Sequence, residues 1–208
     1  MGDPASARIV MIHKEDSTVK LRSTVLLILL LGLASTAFAD KRALIVAGSG
    51  GELEYIESFF EQAESLTGIL RQHFGFAPEE IITLTEDQAD SVDKYLSNNA
   101  AEIRTQFKEL ARSLKASDEV LIFLLGHGSY DGEWAKFNIQ GPDLRDVDFA
   151  NLVDTLPASR IAFVNLTSAS GPFVEKLSKP GRVIVTATRS GEERNIVRFA
   201  GHFINALR

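Results

Sequence analysis

The residues best equipped for chemistry in this 208-residue chain are His127 and a later group of hydroxyls, Thr167, Ser168 and Ser170. His127 stands between Gly126 and Gly128, directly after the apolar run 120–125. An unbroken apolar run of that length, closed by glycine, reads as a strand buried on both faces of a parallel sheet. Open α/β sheets place ligands and reacting groups at the carboxyl ends of such strands. The flanking glycines let the backbone turn sharply, and the Gly128 N–H can face a substrate oxygen. A second buried strand, 160–166, ends in Thr167-Ser168-Ala169-Ser170-Gly171. Right-handed crossovers set the two strands side by side, so an imidazole and a hydroxyl meet on one rim. A nucleophile and a base that converge are the minimum set for acyl transfer. Ser129 adjoins His127, but a sequence neighbour on a turn points away, so Ser168 is the preferred hydroxyl.

The elements that must carry these residues alternate between two periods. Strands are expected at 42–47, 80–84, 120–125, 160–166 and 182–187. Helices are expected at 56–74, 91–114, 149–156, 172–177 and 196–207. In the first helix, Ile56, Phe59, Phe60, Ala63, Leu66, Ile69, Leu70 and Phe74 keep the three-and-four spacing of one buried face. Gly75 suits its cap, and His73 favours its negative end. The second helix would bury Val92, Tyr95, Leu96, Ile103, Phe107, Leu110 and Leu114. Residues 134–139 alternate like an exposed strand of a small hairpin. Asp148 is expected to cap the short helix that follows. The last helix would present Phe199, Phe203 and Leu207 to the core, with His202 toward solvent. This order predicts an α/β three-layer sandwich around a mostly parallel sheet of five or six strands. The Gly-rich loop after the first strand, Gly48-Ser49-Gly50-Gly51, has neither dinucleotide spacing nor a P-loop Lys-Ser/Thr, so it reads as a flexible rim.

Composition narrows the chemistry further. A formal charge of −6 and the absence of any basic stripe argue against nucleic acid as a partner. The chain has no cysteine, which excludes disulfides, thiolate metal sites and a thiol nucleophile. The four histidines show no zinc spacing. Asp131, Asp143, Asp146 and Asp148 lack EF-hand spacing and read as turn and cap residues. No metal or other cofactor is expected.

Residues 1–39 read as a secretory signal peptide. Arg8, Lys14, Lys20 and Arg22 give a basic start, and 25–33 is almost entirely Leu, Ile and Val. Ala37-Phe38-Ala39 then puts small residues at the −3 and −1 positions of a cut before Asp40. The apolar run is shorter than the ~20 residues of a bilayer span, and an uncleaved anchor is the alternative. The exported domain is expected at 40–208, periplasmic or secreted, with no stable membrane span after cleavage. The sequence stops at Arg208 inside the last expected helix, without a cap, which reads as a truncated chain.

Taken together, these motifs resemble the caspase/legumain clan of cysteine peptidases. In that clan one apolar strand ends in His-Gly, and another ends in a nucleophile followed by Ser-Gly. The legumain branch is the more similar. Its first strand runs into V-A-G-S-N-G with an Asn-Tyr pair soon after, where this chain has Val46-Ala47-Gly48-Ser49-Gly50-Gly51 and Glu54-Tyr55. Its His motif reads D-H-G-S/A, where this chain has Gly126-His127-Gly128-Ser129. The resemblance covers about residues 42–207, with a shorter insertion between the second and third strands. It implies a caspase/legumain-like fold and places the family's catalytic His on His127. The catalytic Cys falls on Ser168, the Asn that orients the His on Glu54, and an Arg of the legumain specificity pocket on Ile56. A serine hydroxyl is protonated at neutral pH and needs a positioned base, whereas a thiol beside His is readily ionised. Cysteine-peptidase activity is therefore ruled out. Three readings remain. The preferred one is a pseudo-peptidase that keeps the cleft for a peptide or protein ligand, with Ile56 and the acidic Glu192 and Glu193 shaping the groove. The alternative is a hydrolase in which Ser168 attacks, His127 is the base, Glu54 supports the imidazolium, and the Gly128 and Ser168 N–H groups hold the oxyanion. The third is a scaffold with no cleft function. Arg189, at the end of the fifth strand, either lines a specificity pocket for an acidic side chain or pairs with Glu192 or Glu193.

Overall fold

The computed structural model describes residues 39–86, 95–193 and 198–208. Its main sheet has six strands, all paired in parallel: β1 (Lys41–Ala47), β2 (Ile81–Thr85), β3 (Leu96–Ser97), β4 (Glu119–Leu125), β8 (Arg160–Asn165) and β9 (Arg182–Thr186). Their spatial order is β3-β2-β1-β4-β8-β9. A second sheet of three short antiparallel strands, β5 (Gly128–Tyr130), β6 (Ala135–Phe137) and β7 (Leu144–Arg145), follows the His127 turn. The helices are α1 (Leu53–His73), α2 (Ala100–Ser113), α3 (Asp146–Asp154), α4 (Phe173–Leu177) and α5 (Phe199–Ala206).

Because strand side chains alternate, the central strands feed two separate cores. Leu44, Val46, Ile122, Leu124 and Phe163 pack with Ile103, Phe107 and Leu110 of α2 and with Phe149 of α3. Phe149 is the hub of an aromatic cluster, with ring centroids 5.8–6.4 Å from Phe107, Phe137, Phe163 and Phe173. On the other face, Ala43, Ile45, Phe123, Leu125 and Val164 pack with Phe59, Ala63, Leu66 and Leu70 of α1 and Ile204 of α5. This is the three-layer sandwich expected from the apolar runs.

Four local expectations need correction. The second helix begins at Ala100, not 91. Residues 91–94 lie outside the described residues, and Leu96–Ser97 is a strand whose Leu96 is 42% exposed. Asn98 and Asn99 break the helical pattern. Buried Asn98 donates from Nδ2 to the Ala47 carbonyl at 2.7 Å, and Asn99 caps α2 by accepting from the Glu102 N–H at 2.9 Å. The short helix α3 starts two residues before Asp148, so Asp148 lies inside its first turn. There Asp148 Oδ2 accepts from the Arg145 N–H and Nε, both at 3.0 Å. The expected hairpin is a three-stranded sheet, because Leu144–Arg145 adds a strand to the Lys136–Phe137 edge. In α5 the buried residues are Ala200 and Ile204, with Phe203 and Leu207 packed partly against them, while Phe199 is 38% exposed. His202 is exposed, as expected. The expected start of this helix, at 196, and residues 1–38 of the expected 1–39 leader lie outside the described residues. Among the described residues no helix is long and apolar enough to cross a membrane.

Candidate functional site

Strand register fixes the site. In the β4–β8 pair Leu124 lies opposite Asn165. His127 and Ser168 each follow three residues beyond that pair, so both stand on the rim at the strands' carboxyl ends. The turn carrying His127 is held on both sides. Gly48 N–H donates to the Leu125 carbonyl at 2.8 Å, and Asn138 N–H donates to the His127 carbonyl at 3.1 Å. Gly126 adopts φ = 131°, a conformation that L side chains rarely take, and its missing Cβ lets Gly48 pack against it. At Gly128 a Cβ would lie 2.2 Å from the Ser168 carbonyl oxygen, so only glycine permits the β4 and β8 loops to close on each other.

This contact uses the Ser168 hydroxyl both as donor and as acceptor. Its Oγ donates to the Gly128 carbonyl at 2.9 Å and accepts from the Gly128 N–H at 3.1 Å. No hydrogen bond joins it to His127 among the described residues. The next residue, Ala169, has φ = 52°, a left-handed conformation unusual for a side chain with a Cβ. Its N–H donates to the Glu193 carbonyl at 2.8 Å, which ties the β8 loop to the β9 loop. Further cross-links are Ser170 Oγ with Thr188 Oγ1 at 3.2 Å and the Gly171 N–H donating to Thr188 Oγ1 at 3.0 Å. Thr167 turns inward, and its Oγ1 donates to buried Asn165 Oδ1 at 2.7 Å.

His127 is positioned by aromatic rings. Tyr55 and Phe59, one turn apart on α1, meet it edge-on with centroids 4.9 Å and 5.0 Å away. Partial burial among these rings lowers the imidazole's pKa below its ordinary value, because a charged ring would lose water it cannot replace. These rings, with Leu166, Ser168 and Ala200, enclose a chamber of about 80 Å³ against His127. His127 and Ser168 thus share one small cavity without bonding to each other.

The other sequence-predicted residues are dispersed around this chamber. Glu54 is exposed on the first turn of α1, and no hydrogen bond or ion pair links it to His127 among the described residues. Ile56 is half-buried against Gly50 and does not line the chamber. Arg189 is exposed. Its backbone N–H, together with that of Ser190, donates to Glu193 Oε1 at 3.0 Å, while its guanidinium makes no ion pair among the described residues. Glu192 is exposed beside it. The sequence reading missed the aromatic pair around His127. Its signal was the i, i+4 spacing of Tyr55 and Phe59 immediately after the Gly-rich loop. Among the described residues no group of three or more acidic or histidine side chains gathers as a metal site.

No protein-family model matches this chain. Over 107 residues, 51% of the chain, it is 28% identical to Metacaspase-3 of Arabidopsis thaliana, and the match spans 29% of that protein. Among solved structures it is similar to a secreted C11 cysteine protease from Bacteroides thetaiotaomicron, determined with an irreversible peptide inhibitor. That likeness has a TM-score of 0.38 and 14% identity, over 67% of this chain and 46% of the other. The chain thus spans less than half the length of either relative. The metacaspase similarity supports a relation to caspase-like peptidases, in keeping with the parallel α/β sheet and the His-Gly rim described above.

Proposed function

We propose that this chain is an exported, legumain-branch pseudo-peptidase that holds peptide at the His127 rim and does not cut it. The observation that carries this reading is the closed pair of hydrogen bonds between the Ser168 hydroxyl and Gly128. Those bonds spend the hydroxyl proton on a carbonyl. They also occupy the Gly128 N–H, the donor that an oxyanion would need. Glu54, exposed and unconnected to His127, does not form the third member of a triad, and Cys is absent from the chain. Signal-peptide patterning over 1–39 supports export. Ile56, Arg189 and Glu192 are then outer contacts for a bound chain, with Arg189 suited to an acidic side chain.

A second reading has one observation in its favour: His127 and Ser168 line the same chamber, and catalytic hydrogen bonds often tighten only when substrate is bound. In that reading Ser168 is the nucleophile, His127 its base and Glu54 the group that supports the imidazolium. Peptide binding and hydrolysis, measured on the native chain and on Ser168→Ala, separate the two. The pseudo-peptidase binds peptide equally well in both forms and releases no product. Hydrolysis by the native chain that disappears in Ser168→Ala and in His127→Gln establishes the hydrolase instead.

A further inference from the structure

The first strand enters the sheet at a corner held by a buried carboxylate. Ala39 and Asp40, just before β1, are exposed and carry no regular structure. The Asp40 carbonyl accepts from the Glu119 N–H at 2.9 Å, and Lys41 lies opposite Glu119 in the β1–β4 register. This pairing fixes the Asp40 nitrogen beside the turn that precedes β4, where its N–H donates to Asp118 Oδ1 at 3.1 Å. Asp118 is only 1% exposed. Its Oδ2 accepts from the Lys115 N–H at 2.7 Å, and its Oδ1 also accepts from the Ser117 hydroxyl at 3.1 Å. The Lys115 N–H chiefly, joined by the Asp40 N–H and the Ser117 hydroxyl, holds this carboxyl below its ordinary pKa despite burial. It is therefore ionised at neutral pH. The other charges at the corner are accounted for among the described residues. Lys115 and the Asp40 carboxyl are exposed, Glu119 and Arg160 pair with each other at 2.9 Å, and Lys41 Nζ donates to the Phe74 carbonyl at 2.6 Å. The backbone nitrogen that meets Asp118 is also the one that the expected leader cut would free. Ala37 and Ala39 stand at −3 and −1 of a cut before Asp40, and the compact unit of the fold begins at Ala39.

We propose that the Ala39–Asp40 bond is a processing site and that Asp118 is the receptor for the new N-terminus, so that removal of the leader closes the entrance to β1 with an ion pair. The inference rests on the export reading above and adds what processing does to the fold. A processing endopeptidase of the export route, selecting small residues, adds water across this amide. The C–N bond breaks, Ala39 leaves as the carboxylate end of the leader, and the Asp40 nitrogen takes up a proton to become an ammonium. A neutral N–H contact to Asp118 then becomes a charge-assisted one, roughly twice as strong. The remaining ammonium protons meet water, because Ala39 and Asp40 lie at the surface.

The test starts from the full chain, leader included, in a host that exports it, and reads the exported fraction by intact mass and peptide mapping. A product that begins at Asp40 is expected. A chain that keeps its leader and is not exported overturns this inference and the export reading together. An exported chain cut at another bond, or not cut, overturns this inference alone. On the processed protein, labelling of the α-amine by acetic anhydride is followed across pH, in the folded state and in denaturing urea. In urea the labelling midpoint is expected at the ordinary α-amino value, about 7.7–8.0. In the folded protein it is expected at least about one pH unit higher, because the facing carboxylate favours the ammonium. Coincident midpoints overturn the ion pair and leave export standing. The fold then binds this proton more tightly than the unfolded chain does. The stability it contributes is fully present below pH ~7.7 and is lost as pH rises through the higher, folded value. The gap in urea midpoint between the native protein and Asp118→Asn is therefore expected to shrink as pH rises from about 7 to about 10. A constant gap means that Asp118 serves only its bonds to Lys115 and Ser117, and it overturns the proposal. Where Asp118→Asn does not fold, the labelling curve of the native sequence decides.

Discussion

At the scale of single residues, the site is organised by contacts that tolerate no substitution of glycine. Gly128 lies where any Cβ would overlap the Ser168 carbonyl oxygen, and the rigid backbone on both sides cannot give way. Gly128→Ala is expected to destabilise the fold by about 2–3 kcal/mol, measured as a lower urea midpoint with an unchanged slope. His127 carries a pH signature of its environment. Its folded pKa lies below the ordinary value of about 6.5, because the ring is partly buried beside Tyr55 and Phe59. The unfolded chain therefore binds the proton more readily than the folded one. The stability tied to this group is fully present above pH ~6.5 and is lost as pH falls toward the lower, folded value. Relative to the native chain, His127→Gln is expected to show a flatter fall in melting temperature from pH 7 to pH 5. Identical slopes would mean that the ring is as solvated in the fold as in the unfolded chain.

At the scale of elements, the apolar runs were decisive and the polar junctions were not. Residues 42–47, 120–125 and 160–166 could only be buried strands, and their pairing follows from crossover handedness. The stripe from Phe59 to Leu70 likewise fixed the long helix on one face of the sheet. The junction before α2 was misread because Tyr95 and Leu96 continue a helical spacing by chance. What ends the helix there is tertiary: Asn98 reaches across to the Ala47 carbonyl, a partner that sequence spacing does not reveal. The same limit hid the site's true arrangement. The rim positions of His127 and Ser168 follow from strand order, but whether Ser168 faces His127 or Gly128 depends on backbone closure between two loops. Glu54 was read from the family pattern, and a helix start at Leu53 turns it outward. The cap itself is testable. Asn99→Ala, which removes the bond to the Glu102 N–H, is expected to cost about 1 kcal/mol in chemical denaturation.

At the scale of the whole molecule, one flank of the sheet carries α1 and α5, and another region is left uncovered by the described residues. Leu121, Ala162 and Val183 line an open cavity of about 520 Å³ over β4, β8 and β9, and Val183 is 62% exposed. Such a surface binds apolar dyes. Val183→Lys is expected to lower 8-anilinonaphthalene-1-sulfonate fluorescence while changing stability by less than about 0.5 kcal/mol, since so exposed a side chain contributes little packing. On the reading proposed above, the Ser168 hydroxyl is held in a structural bond with Gly128 at the His-Gly rim and is not used for attack. A fluorophosphonate probe, followed by intact-mass and peptide mapping, tests that diversion most directly. The account predicts that Ser168 stays unlabelled in the folded chain at pH 7–8. Labelling of Ser168 that vanishes in His127→Gln would contradict it and make this rim a working serine hydrolase site.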